Sequence, residues 1–200
     1  MSGGATSFEL PLFVLNTVLY PGGPMALRVF EPRYLSMVGH CIQSDGSFGV
    51  CLIREGREVG EAAVPHDIGT IARIRDWQPV GEGVLGITVE GGARLSVEKS
   101  RVTDEKLVVA TVSLLPDDPL LPLPPEFAPF AALARRLIER AGPLYAGLPR
   151  HYDDAAWVSY RLAELCPLES AQRQSLLEIP GPLQRLSRLQ RMIRELLPRV

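Results

Sequence analysis

The residues that could perform chemistry are few, and their spacing matches no common catalytic or metal-binding pattern. His40 and Cys41 are adjacent, so on a helix their side chains point in different directions, which is a poor geometry for a cysteine–histidine pair. Together with Cys51 they do not form the C-x-x-C spacing of a zinc knuckle. We therefore expect no metal site and no cofactor.

Histidines and acids elsewhere are explained by local structure. His66 and Asp67 lie in a predicted loop before a strand, where solvation or capping is the expected role. The acids of residues 151–154 (HYDD) precede a predicted helix and are expected to cap it. The sequence has no G-x-S-x-G elbow and no G-x-x-x-x-G-K-[ST] loop, and its only lysines are Lys99 and Lys106. We therefore predict a non-enzymatic protein with no catalytic residues.

Residues 10–38 (LPLFVLNTVLYPGGPMALRVFEPRYLSMV) organise the predicted fold. Two apolar strands flank a Pro-Gly turn, and the second strand leads directly into a short helix that Asp45-Gly46 should end. Pro32 suits the first helical position because its missing N–H has no partner there. Glu31 is then the predicted N-cap, and Phe30 has the spacing to pack on Leu35 as a hydrophobic staple.

Short apolar runs separated by turns continue through the first half of the chain. Many short strands favour a small barrel or sandwich over alternating βαβ units. We predict a hairpin turn at Gly91-Gly92 and an exposed loop over residues 54–65. The predicted strands cover residues 10–14, 25–29, 48–53, 68–74, 84–89, 94–97 and 107–115.

The second half of the chain has helical periodicity. The proline-dense residues 116–125 (PDDPLLPLPP) predict a linker that lies against protein. The predicted organisation is a flexible tail (1–7), a β domain (8–115), this linker and a helical bundle (126–200). Predicted helices start near 126, after Asp153 or Asp154, at 170 and, with Gly181 as N-cap, at 182. The last helix should bury a stripe formed by Leu183, Leu186, Leu189, Ile193 and Leu197.

Composition and charge exclude several classes of protein. A hydrophobic content of 46% in 200 residues is enough for a folded core. The net charge of −2 argues against binding dominated by phosphate contacts. No apolar run is long enough to span a membrane, and the N-terminus lacks the features of a secretory signal. The three cysteines lie in apolar contexts, which is typical of buried free thiols in a reducing cytoplasm.

Arginines recur at every third position of the last predicted helix. They are expected to form an exposed basic face opposite the leucine stripe. This face is either an ordinary solvated surface or a surface for an acidic partner or RNA. Aromatic residues that would stack on bases are not interleaved with it, so nucleic acid is not the expected partner. The residues are Arg185, Arg188, Arg191 and Arg194.

Four stretches give the chain a family likeness. It resembles the N-terminal, substrate-binding domain of the ATP-dependent LON protease. The stretches are LPLF followed by VLYPG and PMALRVFEPRY; IGTIARI; VEGGARLSV, which carries Gly91 and Arg94; and LLEIPGPLQRLSRLQRMI.

The resemblance implies an α+β fold: a PUA-like pseudo-β-barrel of about six strands with one short helix, followed by a C-terminal helical bundle. It also implies recognition of unfolded or extended polypeptide, with self-association left open. A full LON protease continues into ATPase and Ser-Lys protease modules, so we expect here a free-standing LON-like domain that cuts nothing. The alternative is an RNA-binding module that uses the barrel and the arginine face.

The likeness and the composition together give the candidate residues. We predict that polypeptide binds in a groove between barrel and bundle lined by Tyr20, Met25, Tyr34 and Trp77. An arginine in a barrel strand needs a carboxylate partner if it is buried, so we expect Glu31 or Glu90 to pair with one of Arg28, Arg33, Arg73 and Arg94. The predicted structural-motif residues are Phe30, Glu31, Pro32, Arg33, Gly69, Arg73, Gly91 and Arg94.

Overall fold

The computed structural model describes residues 7–44 and 46–196. Most of the predicted tail (1–6), Asp45 at the predicted helix end and Leu197 of the predicted stripe lie outside the described residues. The chain divides into two compact units, one ending at Pro116 and the other starting at Asp117.

In the part of the first unit that the structure describes, six strands form a sheet that closes on itself. Its strands and one helix are β1 (Phe8–Leu15), β2 (Pro24–Val29), α1 (Pro32–Ser44), β3 (Ser47–Glu55), β4 (Val64–Gly81), β5 (Val84–Val102) and β6 (Val108–Leu114). The strand order is β2-β5-β4-β3-β1-β6, and β5 also pairs with β6, which closes a five-stranded barrel and leaves β2 outside the ring. The β1–β3 pair is parallel. The predicted pseudo-barrel of about six strands with one short helix is confirmed.

Strand β1 is buried on both faces, which explains its continuous apolar run. Phe13 and Leu15 belong to the core that packs against α1, whereas Leu12 and Val14 belong to a second core inside the barrel. The ring of Phe13 stacks on that of Tyr34 with centroids 3.9 Å apart. This pair joins the first strand to the helix.

The predicted hairpin at Gly91-Gly92 is wrong, because both glycines lie inside the single long strand β5. Thr70 pairs with Arg94 and Ala72 with Gly91, so β5 has two residues where β4 has one, which is a β-bulge. A Cβ atom on Gly91 would overlap the carbonyl group of Tyr20. Gly91 therefore marks a close approach of two backbones, the other common role of glycine in a strand.

The junction between β2 and α1 agrees with the prediction in part. Pro32 is the first helical residue, and the carbonyl of Glu31 accepts from the N–H of Leu35 at 2.9 Å, as expected for an N-cap. Phe30, the residue predicted to pack on Leu35 as a hydrophobic staple, is 53% exposed. The buried residues of the helix include Arg33 and Tyr34.

The other predicted motif residues have distinct environments. Gly69 lies inside β4, where a Cβ atom would overlap the carbonyl of Val50. Arg94 is buried, and its guanidinium donates to the carbonyl of Pro116 at 3.5 Å. Arg73 is exposed. β4 continues to Gly81, so Trp77 lies within the strand.

The described residues of the second unit form four α-helices and two 3₁₀ turns. The turns are Pro125–Phe127 and Pro143–Tyr145, and the helices are α2 (Ala128–Arg140), α3 (Ala155–Leu165), α4 (Ser170–Glu178) and α5 (Pro182–Leu196). The carboxylate of Asp154 accepts from the N–H of Ala156 at 2.7 Å, so it caps α3 as predicted. The proline-rich segment hydrogen-bonds to the start of α3 through Leu123 N–H to Asp153 carbonyl and Ala155 N–H to Leu121 carbonyl.

The predicted basic face on α5 is wrong at Arg185, which is fully buried. Its guanidinium donates to the Asp118 carboxylate at 2.7 Å and to the Ser159 hydroxyl at 2.9 Å. Each helical residue turns about 100°, so a step of three residues drifts by about 60° and places Arg185 opposite Arg194 on the helix. Leu183 is 40% exposed and lies outside the buried stripe.

The three cysteines are free and buried. No helix within the described residues is long and apolar enough to cross a membrane.

Candidate functional site

Strand β2 is the edge strand of the sheet among the described residues. The Gly91 N–H donates to the Gly23 carbonyl at 2.9 Å, and this pair continues the β2–β5 register. Hydrogen-bonded and non-hydrogen-bonded pairs alternate in an antiparallel ladder. The backbone N–H and C=O groups of Met25 and Leu27 therefore point toward β5. The backbone N–H and C=O groups of Ala26 and Arg28 then point away from β5, toward the open edge.

One pocket borders β2 on the side of α1, and we call it the aromatic pocket. Its volume is about 210 Å³. Its wall combines the stacked Phe13 and Tyr34 with the exposed Phe30, and Val59 comes from the loop after β3. The pocket is lined by Phe13, Leu15, Thr17, Ala26, Leu27, Arg28, Val29, Phe30, Glu31, Tyr34, Glu58 and Val59.

A second pocket lies between β2 and the β4–β5 hairpin, and we call it the hairpin pocket. Its volume is about 370 Å³. Gly86 pairs with Arg28 of β2 and with Gln78 of β4, so a position without a side chain lies between two longer side chains. The pocket is lined by Ala26, Leu27, Arg28, Asp76, Trp77, Gln78, Val80, Gly86, Ile87 and Thr88.

The two pockets share three consecutive residues, Ala26, Leu27 and Arg28. Large apolar side chains are exposed on both sides of this segment, with exposed fractions from 42% to 57%. An exposed apolar surface next to a strand edge is typical of an interaction site. These side chains are Phe30, Val59, Trp77 and Val80.

Arg33 fixes the loop after β3, which forms one wall of the aromatic pocket. Its guanidinium contacts the Glu31 carboxylate at 2.9 Å, and it donates to the carbonyls of Lys106 at 3.0 Å and Glu58 at 3.3 Å. The Glu31 carboxylate also accepts from the N–H of Gly60 at 3.4 Å. The predicted pairing of Glu31 with one of four arginines is thus confirmed for Arg33.

A further ion pair holds the same loop from its exposed side. The ammonium group of Lys106 lies 2.6 Å from the Glu61 carboxylate, and this hydrogen bond lowers the pKa of Glu61. Lys106 has φ 62°, a left-handed conformation that is uncommon outside glycine. Burial raises the pKa of Tyr34 in the pocket wall, so its hydroxyl stays neutral at physiological pH.

The charges that line the two pockets are mostly acidic. Glu31, Glu58 and Asp76 contribute carboxylates, Arg28 contributes a guanidinium group, and the charge of Glu31 is balanced by its ion pair with Arg33, so Glu58 and Asp76 supply the uncompensated negative charge. Asp76 and Arg28 are exposed, and Glu58 is half-buried. The site therefore favours a ligand with positive charge next to apolar groups.

The four residues that were predicted to line the binding groove lie in different environments. Tyr34 lies in the aromatic pocket and Trp77 in the hairpin pocket. Met25 is partly buried against the core. Tyr20 has none of its surface exposed, so its predicted role as a lining residue is wrong.

Sequence reasoning missed the segment 26–28, which joins the two pockets. The signal was present, because Arg28 interrupts the apolar strand PMALRV near its end, as edge strands often do. The strand order that makes β2 an edge cannot be derived from that pattern. Within the described residues, the histidines, cysteines and acids form no group of three that could hold a metal ion.

Comparison with known proteins connects this chain to one family. The family model of the ATP-dependent protease La (LON) substrate-binding domain matches residues 9–195. The crystal structure of a Lon N-terminal domain protein from Xanthomonas campestris is similar, with 42% identity, a TM-score of 0.76 and coverage of 91% of this chain and 96% of that chain. The N-terminal domain of Mycobacterium avium complex Lon protease shares the fold at 17% identity and a TM-score of 0.64, over 91% of this chain and 96% of that one.

Curated relatives are longer proteins that this chain matches in part. Lon protease 2 of Myxococcus xanthus is 31% identical over 90 residues, which cover 44% of this chain and 11% of that protein. A LON peptidase N-terminal domain and RING finger protein of Schizosaccharomyces pombe is 23% identical over 88% of this chain and 43% of its own length. The chain thus spans less than half of either relative.

Proposed function

Because the chain belongs to the LON substrate-binding domain family, we propose that it binds extended segments of polypeptide at the open edge of β2 and catalyses no reaction. The observation that carries this proposal is the meeting of two pockets, each with exposed apolar side chains in its wall, on one strand edge at residues 26–28.

The size and shape of the pockets support a chain-like ligand. The volume of about 210 Å³ lies below the range for compact small-molecule sites, which is about 300–1,000 Å³, and the volume of about 370 Å³ lies in its lowest part. Two small pockets on either side of a strand suit successive side chains of one peptide. Apolar side chains in such pockets would provide affinity, and a strand edge would accept many sequences.

The environment of the thiols supports a reducing compartment, which we propose to be the cytoplasm. Cys41, Cys51 and Cys166 are buried and unpaired as disulfides, and such thiols are the rule where glutathione keeps proteins reduced.

The test measures binding of a fluorescein-labelled, carboxymethylated and therefore permanently unfolded protein by fluorescence anisotropy. Two exposed valines provide a matched pair, since Val59 and Val102 are each 57% exposed but Val59 lines the aromatic pocket and Val102 lines neither the aromatic nor the hairpin pocket. We expect Val59→Ser to weaken binding about threefold and Val102→Ser to leave it unchanged. Trp77→Ala should weaken binding about tenfold, because exposed tryptophans at binding sites contribute most of the energy.

Failure of the folded protein to retain the unfolded client at concentrations up to about 100 µM, which corresponds to a binding free energy of about −5.5 kcal/mol, would remove the proposal. Equal effects of Val59→Ser and Val102→Ser would place binding elsewhere on the surface.

A further inference from the structure

We propose that the polypeptide binds as an added β-strand, hydrogen-bonded to the backbone of Ala26 and Arg28, and that the preferred segments are extended and carry net positive charge. This inference rests on the proposed function and specifies its binding mode and ligand class. Among the described residues no strand pairs with the outer edge of β2, so its backbone groups provide a template for one more strand.

The hydrogen-bond pattern determines which residues would hold the added strand. The Gly23–Gly91 pair is hydrogen-bonded, and the β2–β5 register pairs Pro24 with Glu90, Ala26 with Thr88 and Arg28 with Gly86. By alternation, Pro24, Ala26 and Arg28 occupy the positions whose backbone groups face outward. Proline at the first of these positions agrees with the assignment, because it removes no hydrogen bond to β5.

The two pockets match the side chains of such a strand. Successive side chains of a strand point to opposite faces. A strand beside β2 would direct one set toward the aromatic pocket and the other toward the hairpin pocket, since both pockets include Ala26 and Arg28. Binding of the backbone thus aligns the apolar side chains with the two pockets.

The charges of the site favour an extended basic segment over a second copy of this chain. The carboxylates of Glu58 and Asp76 line the pockets beside Arg28, whereas the carboxylate of Glu31 is already paired with the Arg33 guanidinium. A second copy docked through its own β2 would bring the same acidic surface to the interface, which costs free energy through like-charge repulsion. A peptide with lysine or arginine beside its apolar residues complements these carboxylates.

The test uses labelled ten-residue peptides with apolar residues at alternate positions and lysine at both ends. Each backbone nitrogen of the peptide is methylated in turn, which removes one N–H donor at a time. We expect a loss of about tenfold at every second position and little effect between them, since a lost backbone hydrogen bond costs about 1.5 kcal/mol. The version with glutamate at both ends should bind at least about threefold more weakly at low salt, and the difference should shrink as salt increases.

The protein side is tested with Ala26→Pro, which removes the outward N–H, and Ala26→Val, which keeps it. We expect Ala26→Pro to weaken binding at least about tenfold, as for one lost backbone hydrogen bond, and Ala26→Val to retain it. If Ala26→Pro fails to fold, the methylation series decides alone.

The outcomes separate this inference from the proposed function. Tight binding with no two-residue periodicity would overturn strand addition and leave peptide binding intact. Preference for the glutamate version would overturn the proposed charge selection. Binding of no peptide and no unfolded protein would remove the proposed function itself. A dimer that forms with increasing protein concentration and is lost in Ala26→Pro would show that a second copy of the chain occupies the β2 edge. That result would overturn the proposal that an extended basic segment binds there.

Discussion

The guanidinium group of Arg33 lies 2.9 Å from the carboxylate of Glu31, and only 5% of the arginine side chain is exposed. The same guanidinium binds the carbonyls of Lys106 and Glu58. One buried cation therefore connects the start of α1 with the loop that walls the aromatic pocket and with the turn before β6.

Replacement of this arginine should destabilise the first unit. We expect Arg33→Ala to cost about 3 kcal/mol of unfolding free energy, because two carbonyls and a partly buried carboxylate lose their partner. Thermal unfolding followed by circular dichroism measures the effect. Arg73→Ala is the control, since Arg73 is exposed and should cost less than about 0.5 kcal/mol. Equal melting temperatures for the wild type and Arg33→Ala would contradict the interpretation.

Adjacent glycines in β5 should tolerate substitution very differently. A Cβ atom on Gly91 would overlap the carbonyl of Tyr20, whereas one on Gly92 would meet the Ile71 side chain at 3.5 Å, an ordinary contact. We expect Gly91→Ala to cost about 3 kcal/mol, the upper end for overpacking, and Gly92→Ala to cost less than about 1 kcal/mol. Urea unfolding gives both values. Similar costs would instead favour a turn at these residues, as the sequence suggested.

The same two glycines show which features of the fold cannot be predicted from the sequence. Leucine, valine and isoleucine spacing predicted most strands, and the predicted helix start at residue 170 agrees with α4, because these patterns depend on local structure. Gly91-Gly92 was predicted as a turn, since its role depends on a backbone that is about 70 residues away in sequence at Tyr20. The candidate site was predicted only in part for a similar reason. Trp77 and Tyr34 were predicted as lining residues, but the position of β2 at the edge of the sheet depends on the long-range strand order.

Arg185 should contribute much more to stability than its neighbour on the next turn. Its guanidinium makes hydrogen bonds to Asp118, Ser159, Tyr160 and two backbone carbonyls. We expect Arg185→Ala to cost about 4 kcal/mol, because the buried carboxylate of Asp118 loses its ion pair with the guanidinium. Arg188→Ala should cost less than about 0.5 kcal/mol, since Arg188 is exposed.

Calorimetry measures the free energy of unfolding of both variants. Asp118→Asn, which removes the charge that pairs with Arg185, provides a second check of the ion pair. A cost for Arg188→Ala as large as that for Arg185→Ala would contradict the assignment of the buried position. The RNA-binding alternative stays a prediction that now depends on Arg188, Arg191 and Arg194, and the triple replacement by glutamine should leave unfolded-protein binding unchanged.

The three thiols should be unreactive in the folded protein. Burial raises the pKa of Cys51 to about 12, with a smaller contribution from the charge of Asp67, and it raises the pKa of Cys166 to about 11. Burial also raises the pKa of Cys41. Since the thiolate is the reactive form, the rate should be low at pH 8 and should rise about tenfold per pH unit until the pH approaches these values. Labelling with an aromatic disulfide reagent, followed by absorbance, measures the rate.

An engineered exposed thiol calibrates this experiment. Ser36 lies on the exposed side of α1, so Ser36→Cys should react at pH 8 at least about a hundredfold faster than the native thiols, because its pKa should stay near 8.5. In denaturant all four thiols of this variant should react at similar rates. Rapid reaction of a native thiol in the folded wild-type protein would show that its part of the core opens to solvent.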